Sequence, residues 1–379
     1  MSYMPSHGTD GTDGLHIDMR HCPSPPILKG RIEDVEFGTM FTPNMFMMRY
    51  HKGEWKEARV EPVTEIRLHP GATVLHYAQE VFEGLKAFRQ TSGDIVLFRP
   101  EMNARRINES AKRLSMPSIP EPLFLEAVRR LVEVERNNVP PAPGCLYIRP
   151  TLIGVTPLVK VSPANEFLFY ILTLVTGPYF KGTSGRDAGA VNVFVAQSVT
   201  RASRGGMGAV KAGANYSGTL EITAKAFKAG CAQVLFLDAR DETRIEEMGG
   251  MNVCFVADGA LVTPPLSGTI LPGITRDSLM TIARGLGIPA REEPLDIVAI
   301  IEGLESGRVT EAMACGTAAV VTGIKSFQFE DGRVVNVPGP TPGPVSTRLF
   351  DAIRAIQYGD CPDENGWIRT ICRGETATD

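Results

Sequence analysis

Apolar and polar positions change period repeatedly along this chain. Residues 94–98 (Asp-Ile-Val-Leu-Phe), 146–149 (Leu-Tyr-Ile-Arg), 191–195 (Val-Asn-Val-Phe-Val) and 233–237 (Gln-Val-Leu-Phe-Leu) are short β-branched and aromatic runs that predict strands. Residues 167–175 (Phe-Leu-Phe-Tyr-Ile-Leu-Thr-Leu-Val) form the longest strongly apolar stretch. It is half the length of a membrane span and predicts a buried strand. Helical spacing takes over at 121–136, where Phe124, Ala127, Val128, Leu131 and Val132 share one face. Shorter helices are predicted at 103–114, with Asn103 as N-cap, at 217–228, stopped by Gly230, and at 277–286 after Gly273-Ile-Thr-Arg. Asp258-Gly259 and Asp331-Gly332 sit between apolar runs and predict hairpin turns.

Hairpins mixed with crossover helices predict an α/β fold, or α+β mixed, in two domains. Residues 1–35, rich in Gly, Thr, Asp, His and Pro toward the start, are expected to be a flexible arm. A first α/β domain is expected over 36–178, a Gly- and Ser-rich linker over 179–189, and a larger domain over 190–379.

Composition narrows the chemistry. The 379 residues carry a net charge of −4, which gives no basic surface for nucleic acid or acidic lipid. No secretory signal pattern opens the chain. Seven cysteines are scattered without a C-x-x-C or zinc spacing, and the expectation is reduced thiols in the cytoplasm. All six histidines fall between His7 and His76. A base in the later part is therefore expected to be lysine, tyrosine or a carboxylate.

Lys211 is the most informative residue. Between Gly205 and Leu220 it is the only charged side chain, among small and apolar neighbours. Desolvation disfavours an ammonium, and a neutral amine is what carbonyl chemistry requires. If Lys211 holds an aldehyde cofactor such as pyridoxal phosphate, four supporting features are needed. Ile274 and Thr275, at a helix start after Pro272-Gly273, offer amides for a phosphate, with Thr317 and Arg106 as further candidates. Glu246 or Glu247 could face a pyridine nitrogen, and Tyr216 could donate to a phenolic oxygen. Arg149, a charge inside an apolar strand, suits a carboxylate. Phe41, Tyr77, Phe82, Tyr147 and Tyr179 could line an apolar pocket with polar tips. Taken singly, each of these has an ordinary structural explanation. Lys86 is the rival lysine, but Glu83, Phe88 and Arg89 crowd it with charge and bulk.

Together these segments resemble the branched-chain amino-acid aminotransferases, pyridoxal-phosphate enzymes of fold type IV. The resemblance runs from Phe37 to Tyr358. It rests on Phe-Glu-Gly-Leu-Lys-Ala-Phe-Arg at 82–89, Leu-Tyr-Ile-Arg-Pro at 146–150 and Val-Lys-Ala-Gly-Ala-Asn-Tyr at 210–216. Glu-Met-Gly-Gly-Met-Asn at 247–252, Leu-Val-Thr-Pro-Pro at 261–265 and Ile-Leu-Pro-Gly-Ile-Thr-Arg at 270–276 follow, then Arg-Val-Thr-Glu at 308–311 and Gly-Thr-Ala at 316–318. The resemblance implies two α/β domains with the cofactor in the cleft between them. It also implies a homodimer with the site near the interface, and ping-pong transfer from leucine, isoleucine or valine to 2-oxoglutarate, giving glutamate.

By the same resemblance, Lys211 is the Schiff-base lysine, Glu247 the ring-nitrogen carboxylate and Tyr216 the phenolate partner. Arg106, Ile274, Thr275 and Thr317 hold the phosphate. Thr317 and Ala318 meet the substrate carboxylate, and Phe41, Tyr77, Tyr147, Arg149 and Tyr179 form the substrate pocket. Arg201 matches a basic position before the lysine. The length and the 82–88 motif argue against a D-amino-acid aminotransferase or an aminodeoxychorismate-type lyase. The intact Lys211, Tyr216 and Glu247 set argues against a non-catalytic binder. The sequence departs from the family pattern in three places. Ala319 and Thr322 stand where some relatives carry a redox C-x-x-C, Ala212-Gly-Ala214 replaces a common Gly-Gly pair, and Gly250 replaces a frequent Thr.

Overall fold

A computed structural model of the chain describes residues 16–180 and 190–374. The first fifteen residues of the expected arm, and 181–189 of the expected linker, lie outside the described residues. Two sheets organise the rest. The first has ten strands, in the order Asp18–Met19, Glu54–Pro62, Asn44–His51, Phe167–Thr176, Cys145–Gly154, Leu85–Arg89, Ile95–Phe98 and Ile368–Cys372. Met40–Phe41 and Glu80–Phe82 pair off that path. All its pairings are antiparallel except that of Asp18–Met19 with Glu54–Pro62.

The second sheet has nine strands, in the order Ile245–Met248, Gln233–Leu237, Val191–Ala196, Val320–Gln328, Val309–Gly316, Asn252–Ala257, Ala260–Thr263 and Ala290–Glu292. Val334–Asn336 pairs with Val320–Gln328 around the expected Asp331-Gly332 turn. Val191–Ala196 runs parallel to both of its neighbours, which requires crossovers, and the helix Leu220–Lys228 is one of them.

The helices bury the faces that their periodicity predicts. Glu121–Val134 turns Phe124, Ala127, Val128, Leu131 and Val132 onto the first sheet, against a core that includes Phe46 and Phe169. A separate apolar cluster is shared by the two sheets. Phe88, Val96 and Cys145 of the first meet Val256 and Met313 of the second, together with Leu279 of the helix Ile274–Gly285 and Leu349 and Ile353 of the helix Pro344–Tyr358. That helix starts on Glu311, whose carboxylate accepts from the amides of Val345 and Ser346, at 2.8 Å each. The Arg-Val-Thr-Glu motif thus ends in a helix cap.

Tertiary structure departs from the sequence pattern in four places. The helix expected at 103–114 spans Pro100–Arg113. It starts at Arg99 with Pro100 in its first turn, so Asn103 lies inside it, buried and donating to Glu83 at 2.7 Å. The segment expected as one helix at 217–228 is split into Ala214–Ser217 and Leu220–Lys228. Ile368–Cys372 belongs to the first sheet, where it covers the otherwise open edge of Ile95–Phe98. Trp367, just before it, stacks on Phe98 at 5.6 Å. Finally, residues 16–35, composed like an arm, pack against the first sheet.

The anchor for that segment is Glu135, a fully buried carboxylate. It accepts from the Asn44 amide at 2.9 Å, the Asn44 side chain at 2.8 Å and Asn138 Nδ2 at 3.0 Å, and it also pairs with the Ser24 hydroxyl. Removing the acceptor strands several buried donors, each costing about 1–3 kcal/mol. Glu135→Ala should therefore lower stability by about 3 kcal/mol, read as a reduced midpoint in urea unfolding. It should also expose residues 16–35 to limited proteolysis.

Candidate active site

A cavity of about 540 Å³ opens between the two sheets. Lys211, Arg106, Tyr216, Glu247, Ile274, Thr275, Thr317, Ala318, Tyr147, Arg149 and Tyr179 all line it. Residues separated by up to 212 positions in sequence thus share one space. Phe41 and Tyr77 do not reach it. They are 49% and 39% exposed on the outside of this chain. Phe41 sits on a two-residue strand, and the ring that enters the cavity from this region is Phe37. Phe37 packs edge-on against Tyr147 at 5.0 Å and Tyr179 at 4.9 Å.

Lys211 is held by its backbone and released at its tip. Its amide donates to Ser110 Oγ at 3.0 Å, and its carbonyl accepts from the Phe82 amide at 3.0 Å. A bridge between Val81 and Ala212 completes this docking of the lysine loop on the strand Glu80–Phe82. The Nζ lies 2.9 Å from the Tyr216 hydroxyl and 4.8 Å from the centre of the Phe82 ring. The small residues around Lys211 therefore serve close packing of the loop on the first sheet. Lys86, the rival lysine, does not line the cavity.

Glu246 and Glu247 sit on adjacent positions of the strand Ile245–Met248, so they point to opposite faces. Glu247 takes the cavity side. Its carboxylate pairs with Arg201, accepts from the Leu271 amide at 2.8 Å and accepts from Asn252 Nδ2 at 3.0 Å. Burial pushes its carboxyl up to about 7, against the downward pull of Arg201, the Leu271 amide and Lys211. Arg201 also donates to the carbonyls of Gly208 at 2.7 Å and Thr269 at 2.6 Å, which fixes it behind the glutamate.

Arg106 projects from the helix Pro100–Arg113 and pairs bidentately with Glu83, Nε to Oε1 at 2.7 Å and Nη2 to Oε2 at 2.8 Å. Its Nη1 donates to the Pro272 carbonyl at 3.0 Å, just before the helix Ile274–Gly285. Burial would raise the Glu83 carboxyl, but Arg106, Lys211 and Asn103 outweigh it and hold the carboxyl below its ordinary value. The neighbouring helix begins on Gly273, which has no side chain to cap it, so its first amides and its dipole face the cavity.

Tyr147 and Arg149 lie two apart on the strand Cys145–Gly154 and share a face. Arg149 Nη2 donates to the Tyr147 hydroxyl at 3.0 Å, and its guanidinium carbon sits 4.7 Å from the centre of the Phe82 ring. Its Nε is buried without a partner. Glu83, Ser110, Asn252 and Phe37 were not singled out from sequence. Glu83 and Asn252 lie inside the motifs at 82–89 and 247–252, and only the folded structure shows what each of them holds.

Comparison with known proteins places the chain in a family. Residues 80–327 match the model of the family described as amino-transferase class IV. The chain belongs to the class IV aminotransferases. It is 43% identical over 342 residues to the branched-chain-amino-acid aminotransferase of Mycolicibacterium smegmatis, covering 88% of this chain and 92% of that one. It is 40% identical over 333 residues to the branched-chain-amino-acid transaminase 1 of Bacillus subtilis, covering 87% and 92%. Among solved structures, the Escherichia coli branched-chain amino acid aminotransferase superposes with a TM-score of 0.70 at 26% identity, covering 86% of this chain and 99% of that one. The enzyme of Thermobaculum terrenum, solved in its PLP form, gives 0.70 at 25%, covering 86% and 98%.

The raised carboxyl of Glu247 has a measurable consequence. The folded, cofactor-stripped protein keeps this proton up to about pH 7, whereas the unfolded chain releases it near the ordinary glutamate value. Stability should therefore fall as pH rises through that window, by up to about 3 kcal/mol from this group. Urea unfolding between pH 4.5 and 8 should show a slope of that sign, and Glu247→Gln should flatten it.

Proposed function

We infer that this cavity exchanges amino groups between branched-chain L-amino acids and 2-oxoglutarate, with pyridoxal 5'-phosphate as cofactor. The observation that carries this reading is the Lys211 amine, 2.9 Å from the Tyr216 hydroxyl. It lies in one cavity with a buried carboxylate and an uncapped helix start. These groups match what the cofactor must meet: an amine for its aldehyde, an acid for its ring nitrogen and amides for its phosphate. When bound, pyridoxal phosphate supplies an aldehyde that captures the amino group and a ring that accepts an electron pair.

Each residue has a task in this reading. Arg106, Thr317 and the amides of Ile274 and Thr275 hold the phosphate. Glu247, fixed by Arg201 and Asn252, keeps the ring nitrogen protonated. Tyr216 donates to the phenolic oxygen and orients the Lys211 amine. Lys211 carries the cofactor, and once free its Nζ takes the substrate α-proton and returns it. Ala318 presents its backbone to the substrate carboxylate. Phe37, Tyr147 and Tyr179 form an apolar wall for the leucine, isoleucine or valine side chain. Arg149 sits among these rings with no directly bonded carboxylate among the described residues, so the same pocket also takes the distal carboxylate of 2-oxoglutarate or glutamate. The two substrates use one site in turn, which is ping-pong order.

The working unit in this reading is a homodimer. Leu75 and Tyr77, from the helix Thr73–Tyr77, are 59% and 39% exposed, and Val159 and Val161 are 70% and 86% exposed. The two segments adjoin, through the Leu158 amide on the Gly71 carbonyl at 2.9 Å and a bridge between Ala72 and Pro157. An apolar patch of this kind suits a second copy and would bring Tyr77 toward a neighbouring cavity. No described helix is long and apolar enough to cross a membrane. We place the reaction in the cytoplasm, where scattered thiols stay reduced.

Two measurements test the reading. Half-reactions followed by visible absorption should show that Lys211→Ala loses turnover with either substrate by at least about 10³-fold. Arg149→Met should keep the leucine half-reaction within about tenfold and lose 2-oxoglutarate by about 100-fold. Equal losses for both substrates would remove Arg149 from distal-carboxylate recognition. Sedimentation should give twice the 41.1 kDa chain mass, and Val161→Asp should shift it toward the monomer.

A further inference from the structure

Lys86 is a buried cation with no catalytic task in the account above. It lies on the strand Leu85–Arg89 of the first sheet and is 7% exposed. Its Nζ donates to the Ala318 carbonyl oxygen at 2.8 Å, reaching across to the second sheet. No ion pair is formed by Lys86 among the described residues. Its other polar neighbours are the Cys145 thiol and the Arg354 guanidinium. A cation in such a place is costly, so the one oxygen acceptor it holds, beside the weaker Cys145 thiol, is informative.

The acceptor belongs to a turn under constraint. Gly316 pairs with Val320, so Thr317, Ala318 and Ala319 form a three-residue hairpin loop. Val320, the strand residue that closes this loop, stands at φ +62°, a conformation that a β-branched side chain disfavours. The loop therefore does not hold its shape by local preference, and contacts from outside must hold it. Ala318, with Tyr179, lines both the main cavity and a second cavity of about 70 Å³ on the Lys86 side. With its oxygen tied to Lys86, the Ala318 carbonyl cannot turn into the main cavity, where it would face and repel an anion.

We propose that Lys86 is a positioning residue: it holds the Ala318 carbonyl away from the main cavity and thereby keeps the Thr317–Ala318 turn selective for the substrate carboxylate. This rests on the reading of Ala318 as the carboxylate contact. Burial pushes the Lys86 ammonium down, but the amine and the ammonium both donate an N–H, so the contact survives in either form.

The test uses the cofactor-loaded enzyme and two inert probes, 4-methylvalerate and its neutral amide, titrated by calorimetry. In the wild type the acid should bind at least about tenfold more tightly than the amide. Lys86→Met, of similar length but without a donor, should reduce that ratio by about tenfold. Lys86→Arg should retain it, the second cavity leaving room for the larger head. In turnover, Lys86→Met should raise KM for leucine about tenfold with kcat within about threefold. A general loosening of the fold would weaken acid and amide together. A wild-type acid/amide ratio in Lys86→Met overturns the proposal. A wild type that does not prefer the acid removes the Ala318 reading, and the proposal with it. If Lys86→Met does not fold, Lys86→Gln, too short to hold the same oxygen, is read against the same criteria.

Discussion

Four cations, Arg106, Arg149, Arg201 and Lys211, are gathered around one partly closed cavity, and the need to stabilise them there governs the site. Charges in such a place persist only when paired or hydrogen-bonded. Glu83 answers for Arg106 and Glu247 for Arg201, and both carboxylates are almost fully buried. Among the described residues, Arg149 and Lys211 hydrogen-bond only to a tyrosine hydroxyl and rest on ring faces. Glu80 for Arg149, and Glu83 and Glu247 for Lys211, act on them through space without a direct contact. These two cations, which no described carboxylate bonds directly, face the space where anionic ligands go. The charge deficit of the cavity is thus its binding capacity.

The two sheets supply different parts of this arrangement. The first provides rigid, antiparallel strands on which Tyr147 and Arg149 share a face, and an edge on which the lysine loop docks. The second provides the ends of elements: the start of Ile274–Gly285, the turn after Val309–Gly316 and the strand bearing Glu247. Element ends expose unpaired backbone groups, which suit phosphate and carboxylate, whereas strand faces suit side-chain walls. Contacts that cross between the sheets, Arg106 to Pro272 and Lys86 to Ala318, hold the two contributions in register. Both are donations from a cation on the first-sheet side to a loop carbonyl on the second-sheet side.

Two of the backbone conflicts fall close to this junction. Val320 adopts a left-handed conformation at the hairpin that carries Thr317 and Ala318. Arg99 does the same at φ +51°, at the start of the helix that presents Arg106, where its guanidinium stacks on Trp367 at 4.8 Å. Non-glycine residues in this region are unfavourable locally and persist because packing over-determines them. Departures from local preference are common where a fold must place a functional group.

Much of the site was legible because its chemistry is local. Lys211 stood out as the single charge in a small-residue segment, and Ile274 and Thr275 as residues at a helix start after Pro272-Gly273. Tyr147 and Arg149 were on one strand face by alternation alone. Strands and helices with strong periodicity, such as 121–136 and 167–175, were likewise set by residue order, because burial of one face follows from spacing. What residue order could not decide was pairing between distant segments. Whether Ile368–Cys372 covers the first sheet, whether Phe37 or Phe41 enters the cavity, and which acceptor Lys86 and Arg106 find are settled by long-range packing. A local pattern says which face an element buries. Only the closed structure says what that face, and each buried charge upon it, must meet.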